Sequence, residues 1–237
     1  MLERLMMRQR TVGISQLKCG DFVGVMMQAI FFDFDGVIVE STDIKVDAFS
    51  ELYKDESPEV IAQVVAYHKS HEGISRVVKI LRAHKQFLGI DLTEFDHDVL
   101  CQKYSQIVEQ KVVECESVDG ALAFLIKSEG QMKRFVVSGT PEHELRRITN
   151  QRGINMFFEG IYGSPSRKED IVNEVLNDHG FSPDQCLFIG DAMTDHDAAK
   201  ACGIPFLGRV EPGQKSPFPK ATDIVPDLST LGKIVTA

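Results

Sequence analysis

Ala29-Ile30-Phe31-Phe32-Asp33-Phe34-Asp35-Gly36-Val37 decides how this chain folds. An unbroken apolar run that ends in an acidic loop marks a strand buried on both faces of a parallel sheet. The pattern returns at Arg134-Phe135-Val136-Val137-Ser138, more weakly at Gly160-Ile161-Tyr162-Gly163, and at Cys186-Leu187-Phe188-Ile189-Gly190. Helical stretches lie between: Ala121–Ile126 closed by Gly130, Pro141–Asn150, Lys168–His179 followed by Gly180, and about Asp195–Ala201. Short strands at Ile204–Leu207 and Ile224–Val225 end the series. This alternation predicts an α/β fold built on a doubly wound, Rossmann-like parallel sheet.

Between the first two strands the pattern changes. From Thr42 to about Glu116 there are long amphipathic segments and no strand candidate. Ser57-Pro58-Glu59 opens a helix with Pro at its first position. Ile74, Val77, Val78 and Leu81 recur at helical spacing, with Phe87 and Leu88 beyond, and Phe95–Val113 carries Val99, Leu100, Tyr104, Ile107 and Val108. The expected organisation is a small α-helical cap domain at 41–117 inserted into a core of 27–40 and 118–237. Residues 1–26 stand apart, with Arg4, Arg8, Arg10 and Lys18 against Glu3 and Asp21 and no clear period. Ser is too scarce for a transit peptide, so a frayed extension, or a true start at Met26 or Met27, is expected.

Hydrophobic residues at 43% and charged residues at 26% of 237 exclude collagen-like and disordered chains. Lys plus Arg number 26 against 35 acidic residues, a net charge of -9 with no basic run, which excludes a nucleic-acid partner. A small anion stays possible, because local donors and a metal decide that. Cys19, Cys101, Cys115, Cys186 and Cys202 are odd in number and lack C-x-x-C spacing. That opposes a disulfide framework or zinc site and favours a cytoplasmic, reducing setting. The longest apolar stretch, Phe22–Phe32, is broken by Gly24 and Gln28 and falls short of the ~18 residues a membrane helix needs.

Ligands of doubly wound sheets bind beyond the carboxyl ends of the strands. Those ends here carry Asp33 and Asp35, then Ser138-Gly139-Thr140, then Lys168 before a helix, then Asp191 with Asp195 behind it. Two carboxylates two residues apart repel each other and need a counter-charge. A hard divalent cation with Asp191 as third carboxylate, and Lys168 nearby, supplies it. Each residue alone has an ordinary reading. An Asp after a strand caps a turn, Thr140 or Asp195 caps a helix, and Lys168 is a solvated lysine, although a cation at a helix start calls for an anion. Arg167, Lys215 and Lys220 are competing cations. Co-occurrence on successive strand ends favours chemistry.

D-x-D-G-V at 33–37, S-G-T at 138–140, the lone Lys168 and G-D-x-x-x-D at 190–195, in that order, resemble the haloacid dehalogenase superfamily of phosphohydrolases across Ala29 to Asp227. The resemblance implies a Mg²⁺-dependent phosphatase. Asp33 would be the nucleophile of an aspartyl-phosphate, and Asp35 the acid and then the base. Mg²⁺ would be held by Asp33, the Asp35 main-chain carbonyl and Asp191. Asp195 is a further candidate at the metal, or orients Lys168 or a metal-bound water. Gly36, Ser138, Gly139 and Thr140 would approach the phosphoryl oxygens, and Lys168 would neutralise charge.

A helical insert after the first motif looks like the cap of phosphoglycolate phosphatase-like and β-phosphoglucomutase-like members. Gly73-Ile74-Ser75-Arg76 is similar to the G-x-S-R segment with which mutase caps contact a sugar phosphate, which makes Arg76 an anion anchor. The plainer reading is Ser75 as helix cap and Arg76 as a solvated arginine. Lys45 is a second candidate for facing substrate, and His68 and His71 read as surface or core histidines. Mutases of this type usually carry Glu-Asp where this chain has Gly190-Asp191, the form typical of phosphatases. Dehalogenases need neither metal nor second carboxylate, and a silent phosphate-binding module would have lost one of these groups. The expectation is a phosphatase of a small phosphorylated metabolite, a phosphosugar or phosphoglycolate-like acid, working as monomer or homodimer. A phosphosugar mutase is the alternative.

Overall fold

A computed structural model describes residues 27–71 and 73–235, so the expectations for 1–26 lie outside the described residues. β1 (Ala29–Phe32) lies between β2 (Lys133–Pro141) and β4 (Cys186–Gly190) in a six-stranded, wholly parallel sheet. With β3 (Gly160–Ser164), β5 (Phe206–Arg209) and β6 (Ile224–Val225), the order is β3-β2-β1-β4-β5-β6. Every residue of β1 is buried, because helices cover both faces. On one face Phe31 stacks on Phe135 and Phe188, with ring centroids 5.4 and 6.3 Å away. On the other, Ile30 and Phe32 pack with Val136, Leu187 and Ile189. The strand order turns back at β1, and Asp33 follows it directly, in the crevice where such sheets bind ligands.

Four helices follow β1: α1 (Thr42–Leu52), α2 (Pro58–Ser70), α3 (Arg76–Ala83) and α4 (Glu94–Glu114). The Ser57 and Thr93 hydroxyls accept from Val60 and Asp96 N–H at 3.3 and 3.1 Å and so start α2 and α4. The two stretches joining this block to the sheet run side by side. Glu40 N–H donates to Glu116 at 3.0 Å, and Val118 N–H to Ile38 at 3.1 Å. Returning to the core, the chain forms α5 (Ala121–Lys127), α6 (Glu142–Gln151), α7 (Lys168–His179), α8 (Met193–Ala201) and α9 (Leu231–Val235). Three sequence boundaries shift. Pro141 closes β2 instead of opening α6, α8 begins at Met193, and the fifth strand is Phe206–Arg209.

α3 departs from its sequence pattern in a more telling way. An amphipathic stripe ordinarily faces inward. Here Val77, Val78 and Leu81 are 37%, 38% and 42% exposed, while Arg76 and Lys79 are 5% and 3% exposed. The inward face thus carries Arg76 and Lys79 beside the buried Ile80 and Ala83, and the segment ends in a π-helical turn at His84–Leu88.

His68 on α2 is buried against the Phe49 ring, 4.5 Å between centroids, with Nδ1 3.0 Å from Lys79 Nζ. Burial, then the charges of Lys79, Lys45 and Lys69, push its pKa down to about 3. An unfolded chain protonates this ring near pH 6.5, and the folded one refuses the proton until about 3. Stability from this group is therefore present above pH 6.5 and lost as pH falls below it, by up to about 1.4 kcal/mol per unit. Thermal melts between pH 7.5 and 5 should show a steeper fall of Tm for wild type than for His68→Gln. Parallel slopes would contradict the assignment.

Candidate active site

The β1 strand end delivers Asp33 almost fully buried. Its N–H donates to Ile189 at 2.9 Å, and its Oδ1 accepts from Phe34 N–H at 2.7 Å. Oδ2 faces Lys168 Nζ at 2.9 Å, and the same ammonium donates to Asp195 Oδ1 at 2.5 Å. Lys168 opens α7, where a cation is unfavourable unless an anion meets it, and two do. The competing Arg167 is exposed and pairs with Glu169. Burial lowers the Lys168 pKa, but Asp195 and Asp33 outweigh it and hold the ammonium charged. Asp33 shows the opposite balance. Desolvation exceeds the pull of Lys168, Asp195 and Asp35 add repulsion, and its pKa is pushed up to about 7.

Asp35 lies between core and helical block. Its carboxylate accepts from Ser41 Oγ at 2.6 Å and Thr140 Oγ1 at 2.9 Å, with Ser138 Oγ at 3.4 Å, and it pairs with Lys45 of α1. Burial raises its pKa, but Lys45 and the hydroxyl donors hold it below the ordinary carboxylate value. Lys45 also donates to Thr140 Oγ1 at 2.8 Å. So Lys45 does reach the site, as the partner of Asp35 and Thr140.

Two glycines are set by space. A Cβ on Gly36, at φ +72°, would collide with the Asp191 carboxylate. One on Gly190 would collide with Asp195, lying 2.6 Å from its Oδ2. The Gly-Asp pair is thus what lets Asp195 sit beside Lys168, with its Oδ2 accepting from Ala192 N–H at 3.1 Å. Gly190→Ala should cost about 1–3 kcal/mol by overpacking, lowering Tm by several degrees. It should also depress kcat, because Asp195 must move and Lys168 with it. An unchanged Tm and kcat would show that Asp195 tolerates displacement.

Asp33, Asp191 and Asp195 each offer an oxygen within 4.8 Å of the others. Three carboxylates around one lysine, one of them raised by burial and repulsion, leave the cluster short of positive charge. An oxygen donor set of this charge fits a hard divalent cation. Asp195 and Asp33 are both engaged at both oxygens, Asp195 by Lys168 and Ala192 N–H and Asp33 by Lys168 and Phe34 N–H, so a cation here would share its donors with these contacts.

The helical block roofs the site. The Gly73 carbonyl approaches Gly139 so closely that a Cβ there would lie 2.6 Å from it, and Ser75 Oγ donates to Ser164 Oγ at 3.1 Å. The cavity beneath, about 60 Å³, is walled by Asp33, Asp35, Ser138 and Asp191 from the core and by Phe49 and Tyr104 from the roof. Arg76 reaches this wall, but its terminal nitrogens grip Glu144 of α6 at 2.9 and 2.5 Å and Ser105 at 2.8 Å. Its guanidinium carbon lies 4.6 Å from the Tyr104 ring centre. His68 is at the wall, whereas His71 binds Tyr67 O and Ser70 on its own helix. Sequence reasoning missed Ser41, Lys79 and Glu144. The i, i+3 spacing of Arg76 and Lys79 was the available signal for a charged inner face, while Glu144 is defined only by the contact of α6 with α3.

Residues 30–209 match the haloacid dehalogenase-like hydrolase family. A phosphoglycolate phosphatase of Pseudomonas savastanoi pv. phaseolicola is 27% identical over 191 residues, 77% of this chain and 69% of that protein. Among solved structures, a phosphoglycolate phosphatase predicted for Haemophilus somnus aligns at TM-score 0.70 and 21% identity, covering 89% of this chain and 99% of its own. The HAD-hydrolase YfnB of Bacillus subtilis bound to magnesium aligns at 0.68 and 21% with the same coverage. With the match running from β1 to β5 and taking in the roof and all four carboxylate positions, this chain belongs to the haloacid dehalogenase-like hydrolases.

Proposed function

We propose that this hydrolase is a Mg²⁺-dependent phosphatase of a small phosphorylated metabolite, acting through an aspartyl-phosphate on Asp33 in the cytoplasm. The observation that carries the reading is the buried Asp33–Lys168–Asp195 chain, at 2.9 and 2.5 Å, opening toward Asp35 and Ser138. Phosphate monoesters resist attack because they are anionic, so their hydrolysis needs charge neutralisation and in-line positioning. Asp33, Asp191 and the Asp35 carbonyl would hold the cation, which neutralises phosphoryl oxygens when bound.

Asp33 attacks phosphorus in its carboxylate form, which Lys168 favours by offsetting part of the burial cost while drawing charge off the transferring group. Ser138 and the backbone N–H groups of Gly139 and Thr140 take phosphoryl oxygens, with Gly36 allowing close approach. Asp35 protonates the leaving oxygen and then takes a proton from water attacking the phospho-Asp33. Its pairing with Lys45 favours the base form, and the substrate's own negative charge beside it supports the acid form. Residues 41–117 act as the cap and 27–40 with 118–237 as the core, with the paired connectors as hinge.

The substrate reading follows the phosphoglycolate phosphatases of Pseudomonas, and the metal reading follows the magnesium of YfnB. The mutase alternative needs an Arg76 fork open to a sugar phosphate, and Glu144 occupies that fork. Phosphate release with Mg²⁺ or EDTA, across phosphorylated sugars and acids including phosphoglycolate, tests the proposal. Metal-dependent release from one or two compounds is expected. Conversion of β-glucose 1-phosphate to glucose 6-phosphate without release would make it a mutase instead, and release indifferent to EDTA would remove the metal.

A further inference from the structure

The loop that carries Asp35 is gripped by a side chain from the far part of the sheet. Within the loop, Gly36 N–H donates to Val39 at 2.8 Å and Ile38 N–H to Phe34 at 2.9 Å. The Gly36 carbonyl is spent outside it, accepting from Arg209 Nη1 at 3.3 Å. The same guanidinium holds the Glu40 carboxylate at 3.0 and 2.6 Å, and its Nε donates to the Pro226 carbonyl at 3.0 Å. Arg209 ends β5, two strands from β1, and is buried. A guanidinium taken out of water is costly unless its donors are met, and here its planar fork serves one carboxylate and two carbonyls at once. The two grips bracket Asp35. Gly36 is its chain neighbour, pinned closely enough that a Cβ there would strike Asp191. Glu40 precedes Ser41, whose hydroxyl donates to Asp35 Oδ1 at 2.6 Å. Among the described residues, neither Arg209 nor Glu40 lines the cavity. The pair is placed to act on the reaction through Asp35 and not on the substrate.

We infer that Arg209 is a positioning residue for phosphoryl transfer: with Glu40 it fixes the Gly36 peptide and the Ser41 hydroxyl, and so the direction in which Asp35 meets the departing oxygen. This rests on the phosphatase reading, in which Asp33 bonds to phosphorus as the ester P–O bond breaks and the Asp35 proton passes to the departing oxygen. A misdirected acid matters most where that oxygen is most basic. Nitrophenolate departs with little help, whereas an alkoxide needs its proton. A displacement of about 1 Å can cost about 10²-fold in rate, and the cost should fall on the esters that depend on the acid.

The test is kcat/KM with Mg²⁺ present, which reports the steps up to phospho-Asp33, on p-nitrophenyl phosphate, phenyl phosphate and the alkyl phosphates that wild type turns over. Arg209→Met should lose about 10²-fold on the alkyl esters and several-fold less on p-nitrophenyl phosphate, in the order that Asp35→Asn gives. Loss of active protein through misfolding would lower every ester alike. Arg209→Lys keeps a cation for Glu40 but has no fork for the Gly36 carbonyl. It should therefore recover most of the Tm lost in Arg209→Met without recovering alkyl ester hydrolysis, and it carries the same comparison should Arg209→Met not fold. Equal losses on every ester overturn the inference. So does kcat/KM near wild type in Arg209→Met, or activity that returns in step with Tm in Arg209→Lys. A flat Asp35→Asn profile would remove the acid assigned to Asp35, and absence of metal-dependent release from every ester would defeat the phosphatase reading itself. The inference falls with either.

Discussion

Asp33→Asn reduces phosphate release by about 10⁴-fold or more while leaving a folded protein. That is the expected result for a nucleophile whose oxygen forms the covalent bond, since groups acting as one catalytic unit fail together when one is removed. The amide keeps the volume of the carboxyl, and its oxygen can still accept the 2.7 Å bond from Phe34 N–H. Stability should hold for a second reason. Burial and the charges of Asp195 and Asp35 make the ionised Asp33 costly, with its pKa pushed up to about 7, so losing that charge relieves repulsion that Lys168 only partly offsets. Lys168 keeps its 2.5 Å contact with Asp195. The melt should therefore stay within a few degrees of wild type without metal. Mg²⁺ should raise Tm less in the variant, because one donor oxygen has lost its charge. Phosphate release and paired melts with and without Mg²⁺ measure both effects. Turnover near wild type would remove the covalent mechanism, and loss of the melt would make Asp33 a structural residue first.

The legibility of this molecule follows where each signal is stored. The strands are local: Ala29–Phe32 and Cys186–Gly190 are apolar runs that only a doubly covered sheet accommodates, and they were readable directly. The candidate site groups sit within a few residues of those strands, so Asp33, Ser138, Lys168 and Asp191 were readable as candidates once the sheet was. The meaning of Gly190 was not, because it depends on where the Asp195 side chain turns. The orientation of α3 was hidden for a related reason. Its stripe at Val77, Val78 and Leu81 predicts an inward apolar face, whereas Arg76 and Lys79 turn inward beside Ile80 and Ala83, onto partners supplied by α2, α4 and α6. Arg76 was found as a residue of interest, but its partner lies 68 positions away on a core helix. Pair identity across that distance is a property of packing.

Glu144→Ala should then be the most damaging change remote from the phosphoryl site. It strands the Arg76 guanidinium, 5% exposed, with Ser105 and the Tyr104 ring as its remaining contacts. Breaking a buried ion pair from one side costs about 3–5 kcal/mol, because an uncompensated charge stays behind. For a chain of this size that lowers Tm by roughly 6–20 °C. The pair also ties α3 to α6, so the same variant should loosen the roof over Asp33 and depress turnover of every substrate, p-nitrophenyl phosphate included. Arg76→Ala should behave alike, leaving Glu144 as the stranded charge. The double replacement Arg76→Met with Glu144→Leu removes both charges and restores apolar contact, so it should recover most of the lost stability, and the cycle should show strong coupling. Its kinetics separate the two roles open to Arg76. If the double variant regains activity on all substrates, the pair is a strut between cap and core. If it regains the melt and p-nitrophenyl phosphate hydrolysis but not the natural substrate, Arg76 also lends a donor to that substrate, as the Gly73–Arg76 motif led one to expect.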